Sequence, residues 1–264
     1  MEGNAGMFEE YYAPLPDLGA YLERIGLAGT ELRQNLETLD RVIEAHVQTV
    51  PFENLDACLA HRAPDLTVEG LFDKVVRRRR GGWCHELNGL LLPLLRALGF
   101  DCRAVAGRIS VSADAVSPLG HRAVLCLLNG ERYYCDVGFG DVAVRSAVPL
   151  SGAETRFGFH AERDGDWYAL WRGGRRLLLF SDLPFEPTDF LAPNFRSALA
   201  PGEKFNQAPY VSIMRGDARL LLRGGVLTRQ EPGRERETLA EGLAGRALRE
   251  TLRREFGIEG APGL

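Results

Sequence analysis

Cys84 follows a glycine-broken stretch, Arg80-Gly-Gly-Trp-Cys84-His85-Glu-Leu-Asn88, and precedes leucines at helical spacing: Leu87, Leu90, Leu91, Leu94, Leu95 and Leu98. The spacing predicts a buried helix with Cys84 in its first turn, kinked or shortened at Pro93. Unpaired N–H groups and the positive end of the helix dipole favour thiolate over thiol there, so Cys84 is a candidate nucleophile. A free cysteine can equally be a small buried hydrophobe, and this stretch alone supports either reading.

A second segment weighs toward chemistry. His121–Leu128 and Glu131–Val137 are apolar, strand-like runs joined by Asn129-Gly130, a strong signal for a two-residue hairpin turn. The turn sets the register: 128 faces 131 and 127 faces 132, so 121 faces 138 and 123 faces 136. Side chains alternate with period two, which puts His121 and Asp136 on one face as diagonal neighbours. A lone histidine at a strand start is usually an ordinary surface or core residue. With a carboxylate beside it, the imidazole has a fixed tautomer, and its other nitrogen is free to take a proton from Cys84.

These residues must be positioned by a chain that changes character along its length. Helices are expected from Asp17 to Ile25, over Leu39–Val47, after Thr67 and from Cys84. From Cys102 to Phe180 the pattern is strand-like, including Trp167–Trp171 and Arg175–Phe180 about Gly173-Gly174. Pro184, Pro187, Pro193, Pro201 and Pro209 read as a long crossing segment. A hairpin about Gly216-Asp217 follows, then a helix opened by a Thr238/Glu241 capping box and closed at Gly257.

Arg80-Gly-Gly-Trp-Cys84, His121 and Asp136-Val-Gly-Phe-Gly140 together resemble the arylamine N-acetyltransferases. Val50-Pro-Phe-Glu-Asn-Leu55, Asn88-Gly-Leu, Leu98-Gly-Phe100 and the opening segment Asp17–Gly26 match that family as well. The resemblance implies an α+β fold with an N-terminal helical bundle (1–100), a central β-barrel (101–200) and a C-terminal α/β lid (201–264). It implies a Cys84-His121-Asp136 triad of the cysteine-protease type, with acetyl-CoA as acyl donor and a small arylamine or arylhydrazine as acceptor. Phe52 and Phe139 match acceptor-pocket positions, Gly138 and Gly140 match the turn beside the acyl donor, and Arg80 would pair with Glu53 beneath the site. Oxyanion donors are expected at the Cys84 N–H and in the Gly138–Gly140 turn. His85, where the family has an apolar or amide residue, and Asp141, where it often has glycine, depart from the pattern.

Composition is consistent with such an enzyme. The net charge is -4, so no nucleic-acid surface is indicated, and Arg77–Arg80 reads mainly as a solvated helix end. No stretch has the length of a membrane span, the start lacks a signal peptide, and five cysteines without a pairing framework point to a reducing cytoplasm. Cys and His lack zinc-site spacing and no phosphate-binding glycine motif occurs, so no metal is expected. Two lysines, Lys74 and Lys204, among many arginines suggest a GC-rich bacterial source. Three alternatives share the constellation: an amide synthase closing a macrolactam from a carrier-bound aryl-amino polyketide, a cysteine hydrolase, and a non-catalytic binding protein on the same fold.

Overall fold

The computed structural model describes residues 8–112, 115–140 and 142–263. Residues 1–7 and Asp141, one of the departures from the family pattern, lie outside the described residues. Helices α1 (Glu9–Tyr12), α2 (Leu18–Arg24), α3 (Leu36–Thr49), α4 (Leu55–Ala60), α5 (Val68–Phe72) and α6 (Cys84–Ala97) fill the first part of the chain, with strand β1 (Phe52–Glu53) between α3 and α4. Three of them start on side-chain caps: Asp17 accepts from Ala20 N–H, Asn35 from Thr38 N–H, and Thr67 from Gly70 N–H. α6 continues through Pro93 to Ala97, so the proline does not shorten it. Its leucines close the largest apolar core with Leu39, Ile43, Leu71 and Phe72.

α5 passes into a π-helical turn, Asp73–Arg77, that leads to the Arg80-Gly-Gly segment. Arg24 of α2 fixes this turn from below. Its guanidinium donates to Val75 O and Thr49 O, both at 2.9 Å, and to Arg79 O and Arg80 O, both at 3.4 Å. The Val50–Leu55 motif then pairs with the glycines: Glu53 N–H donates to Gly82 O at 2.9 Å and Gly82 N–H to Pro51 O at 3.3 Å. A Cβ at Gly81 would lie 1.9 Å from Pro51 O, so only glycine allows this approach.

Strands β2 (Asp101–Ile109), β3 (His121–Leu128), β4 (Glu131–Cys135), β5 (Val148–Pro149), β6 (Phe159–Asp164), β7 (Trp167–Arg172) and β8 (Arg175–Phe180) form an antiparallel sheet in the order β5-β4-β3-β2-β8-β7-β6. It curls into a barrel-like sheet around Val105, Leu125, Tyr134, Phe159, Leu170 and Phe180. The β3–β4 register is the expected one, with Leu128 opposite Glu131 and Val124 opposite Cys135. Asn129 and Gly130 both take positive φ, as a two-residue turn of this hand requires.

After β8 the proline-rich segment is not a plain crossing. It contains α7 (Leu191–Leu199), which tolerates Pro193 because the first turn needs no N–H there. Strands β9 (Tyr210–Arg215), β10 (Ala218–Arg223), β11 (Val226–Gln230) and β12 (Glu237–Ala240) form a second sheet, with β1 added at its edge beside β9. The expected capping box is therefore absent. Thr238 pairs with Thr228 across strands, and the last helix, α8, spans only Gly245–Phe256, ending at Gly257 as expected. Leu248, Leu252 and Phe256 bury its face against Val211, Ile213 and Leu222.

Arg24 is 6% exposed and touches four carbonyls, so Arg24→Leu leaves several buried acceptors without donors. Stability should fall by about 3 kcal/mol in urea unfolding. A loss within experimental error would show that water replaces the guanidinium.

Candidate active site

Cys84 opens α6 and is half-buried, with Sγ 3.9 Å from Gly120 O. Trp83 precedes it as the N-cap residue, and Glu86 reaches back to accept from Trp83 N–H at 3.1 Å. The helix face is set by Asn88, one turn after Cys84 and so on the same side. Asn88 Nδ2 donates to Arg122 O at 2.6 Å and to Asp136 Oδ1 at 2.8 Å, while its Oδ1 accepts from Val137 N–H at 2.9 Å. Sequence reading took Asn88 only as part of a motif.

His121, at the start of β3, and Asp136, just after β4, meet as the hairpin register predicts. His121 Nε2 donates to Asp136 Oδ2 at 2.7 Å, with His121 5% exposed and Asp136 fully buried. That bond leaves Nδ1 as the second ring nitrogen. Burial alone would lower the basicity of His121, but Asp136 and Cys84 outweigh it and raise it. Burial likewise pushes Asp136 up, and His121, Asn88 and the Gly138 N–H overcome it, holding the carboxyl below its usual range. Tyr134 adds a bond that sequence reading missed: its buried phenol donates to Asp136 Oδ2 at 2.8 Å.

The turn after Asp136 lies against the start of α6. Gly138 N–H donates to Asp136 Oδ1 at 2.8 Å, so it is committed, and Phe139 and Gly140 are the donors left in that turn. A Cβ at Gly138 would sit 2.6 Å from Cys84 Cα. Gly140 has φ +69°, packs against the Phe52 ring, and its carbonyl accepts from Ser212 Oγ at 2.9 Å. Phe139 meets the His121 ring edge to face at 5.4 Å. Phe52, Phe139, Gly140, Val137, Ser212 and Met214 line one cleft, which gathers both predicted aromatic residues and one predicted glycine. Phe52 also contacts Phe205 and Tyr210, and Phe205 packs on Trp83. Phe205, in the proline-rich segment, has no local signal that would have marked it.

Beneath the site lies a buried charge cluster. Arg80 pairs with Glu53 at 2.6 Å as the resemblance implies, and Lys74 joins Asp56 at 2.6 Å and Glu86 at 2.7 Å. Burial raises Asp56, yet Lys74, Arg80 and Arg62 bring it to about 2. Burial pushes Glu86 to about 7, opposed by Lys74 and reinforced by Glu53. Among the described residues no group of side chains is suited to a metal ion. Among those residues no helix is long and apolar enough to cross a membrane.

Comparisons with known proteins show the family and the fold. The family model described as N-acetyltransferase matches residues 35–261. An arylamine N-acetyltransferase of Mycolicibacterium smegmatis is 37% identical over 221 residues, covering 79% of this chain and 80% of that protein. The M. smegmatis arylamine N-acetyltransferase structure superposes with TM-score 0.84 at 35% identity, covering 92% of each chain. The Mycobacterium marinum enzyme in complex with CoA gives TM-score 0.82 at 30% identity, covering 92% of this chain and 93% of that one.

Glu86 generates a pH test. Its folded value, about 7, lies above the ordinary 4.5, so its contribution to stability is complete below about 4.5 and is lost as pH rises toward 7. Relative to the native protein, Glu86→Gln should therefore gain about 2 kcal/mol between pH 5 and pH 7 in urea unfolding. A difference independent of pH would show that Glu86 is ionised throughout.

Proposed function

Since the chain belongs to the arylamine N-acetyltransferase family, we propose that it carries an acetyl group from acetyl-CoA, through a thioester on Cys84, to an arylamine or arylhydrazine in a ping-pong sequence. The observation that carries this reading is the 2.7 Å His121–Asp136 bond beside a cysteine at a helix N-terminus. In the first half-reaction the Cys84 thiolate attacks the acetyl carbonyl and His121 returns the proton to the departing CoA sulfur. In the second, the amine attacks the thioester, His121 accepts the amine proton, and Cys84 leaves as thiolate. Asp136 orients the imidazole and stabilises its charged form; Asn88 and Tyr134 hold Asp136. The Cys84 N–H and an N–H of Phe139 or Gly140 supply the oxyanion donors.

Phe52 and Phe139 form the apolar wall against which an aromatic acceptor stacks, and the Gly138–Gly140 turn faces the acyl donor. A flat ring buries apolar area and its weakly basic amine arrives neutral, so arylamines should exceed aliphatic amines by about ten- to a hundredfold. CoA, bound by the M. marinum relative, is the carrier released. No metal enters the reaction as proposed.

Cys84 is half-buried, whereas Cys58, Cys102, Cys126 and Cys135 are buried; burial pushes Cys58 up to about 12. Iodoacetamide at pH 6 should therefore modify Cys84 first, acetyl-CoA should protect it, and intact mass should show one added acetyl group that Cys84→Ala lacks. Asp136→Asn should fold and lose on the order of 10⁴ in turnover. If Cys84 takes no acetyl group from acetyl-CoA, a carrier-bound donor and the amide-synthase reading become the better account. If it does, and no arylamine raises CoA release above the Cys84→Ala blank, the small-acceptor reading fails.

A further inference from the structure

The cleft lined by Phe52 and Phe139 has three walls, each from a different part of the chain. Val47 and Phe52 come from α3 and β1, Phe139 and Val144 from the loop between β4 and β5, and Met214 from β9. Arg145 joins all three. It directly follows Val144 in the loop, and its guanidinium donates from Nε to Glu44 Oε2 at 2.9 Å and from Nη2 to Glu44 Oε1 at 2.6 Å. That two-pronged grip holds α3 about one turn before Val47. Nη1 donates to Asp217 Oδ1 at 2.7 Å, in the β9–β10 turn just beyond Met214. The Phe157 ring backs the guanidinium, whose carbon lies 4.3 Å from the ring centre.

Other bonds join the walls only in pairs. Gln48 of α3 donates to Gly216 O at 2.8 Å and accepts from Gly216 N–H at 2.9 Å. Ala147 N–H donates to Asp40 of α3 at 2.9 Å, and Ser212 Oγ to Gly140 O at 2.9 Å. The three parts therefore stay docked without Arg145. What Arg145 adds is one planar fork that fixes the spacing of the loop from α3 and from the β9–β10 turn at once. Its side chain is 12% exposed and that of Glu44 23%, so water competes little with this arm, whereas Asp217 is 75% exposed and its arm is weaker. The fork contributes modestly to stability, and its consequence is geometric: no wall moves independently while both arms are held.

We propose that Arg145 is a positioning residue that sets the spacing of the cleft walls and thereby limits the size of the aromatic acceptor. The proposal deepens, and rests on, the reading of this cleft as the acceptor pocket. A ring is held there by apolar contact, so a wall free to shift gives up contact with a small ring and makes room for a larger one.

The test is steady-state CoA release at saturating acetyl-CoA with aniline and with the two-ring 2-naphthylamine, for the native full-length protein, Arg145→Met, Glu44→Ala and the double variant. Thermal unfolding and iodoacetamide modification of Cys84 are followed alongside. Arg145→Met should fold, modify at the native rate, and raise KM for aniline with little change in kcat. The ratio of kcat/KM for 2-naphthylamine to that for aniline should rise about threefold to tenfold. Glu44→Ala should move the ratio the same way, and the double variant should add nothing beyond Arg145→Met, because both remove one grip. A folded Arg145→Met with the native ratio overturns the proposal, as does an equal loss with both acceptors at a lowered Tm, which is the signature of a structural role alone. If Arg145→Met does not fold, Asp217→Asn, which loosens only the exposed arm, decides instead: a rise in the ratio supports the proposal and an unchanged ratio overturns it. If the native protein takes neither arylamine, the acceptor-pocket reading falls and this proposal with it, whereas the preceding outcomes leave that reading intact.

Discussion

The carboxylate of Asp136 is fully buried, and the site is organised around satisfying it. An ionised carboxylate out of water must find donors on both oxygens or become protonated. Here four donors converge: His121 and Tyr134 on Oδ2, Asn88 and the Gly138 N–H on Oδ1. They come from the start of β3, the middle of β4, the second turn of α6 and the turn after β4. Losing the register of any one of these would strand the charge, so the carboxylate couples hairpin, helix and turn into one geometric unit.

Asn88 transmits that constraint to the cysteine. It donates to Arg122 O and Asp136 and accepts from Val137, which leaves its side chain little freedom and fixes the rotation of α6 about its axis. Cys84 stands one turn earlier on the same face, so its direction follows from a bond made by another residue. From below, Arg24 clamps the π-helical turn and the Arg80 carbonyl, and the approach of Gly81 to Pro51 sets where the chain enters the helix. The position of Cys84 is thus determined at both ends of the first helical turn.

The parts of this arrangement that were legible in the sequence depend on local rules. The Asn129-Gly130 turn fixed the register that brings His121 to Asp136, and the leucine period identified α6. The parts that were not legible depend on partners far along the chain. Trp83 donates to Asn194 of α7, 111 positions away, and Phe205 reaches Phe52 and Trp83 from a segment read only through its prolines. Thr238 and Glu241 have the spacing of a helix start, but pairing of β12 with β11 decided the backbone there. Tyr134 looks like any apolar strand residue until its hydroxyl is seen to reach the buried Asp136 carboxylate.

Successive residues of a helix point about 100° apart, and the first turn of α6 uses that spread to address separate environments. Cys84 faces His121, His85 turns its ring to Trp83 and Phe190, and Glu86 points to Lys74. The cluster under Glu86 holds Lys74, Arg80 and Arg62 against Glu53, Asp56 and Glu86, and burial pushes Glu86 up to about 7. A single change of helical phase would exchange these environments. The short Gly-Gly-Trp entry, held by Pro51 on one side and Asn194 on the other, is what prevents it.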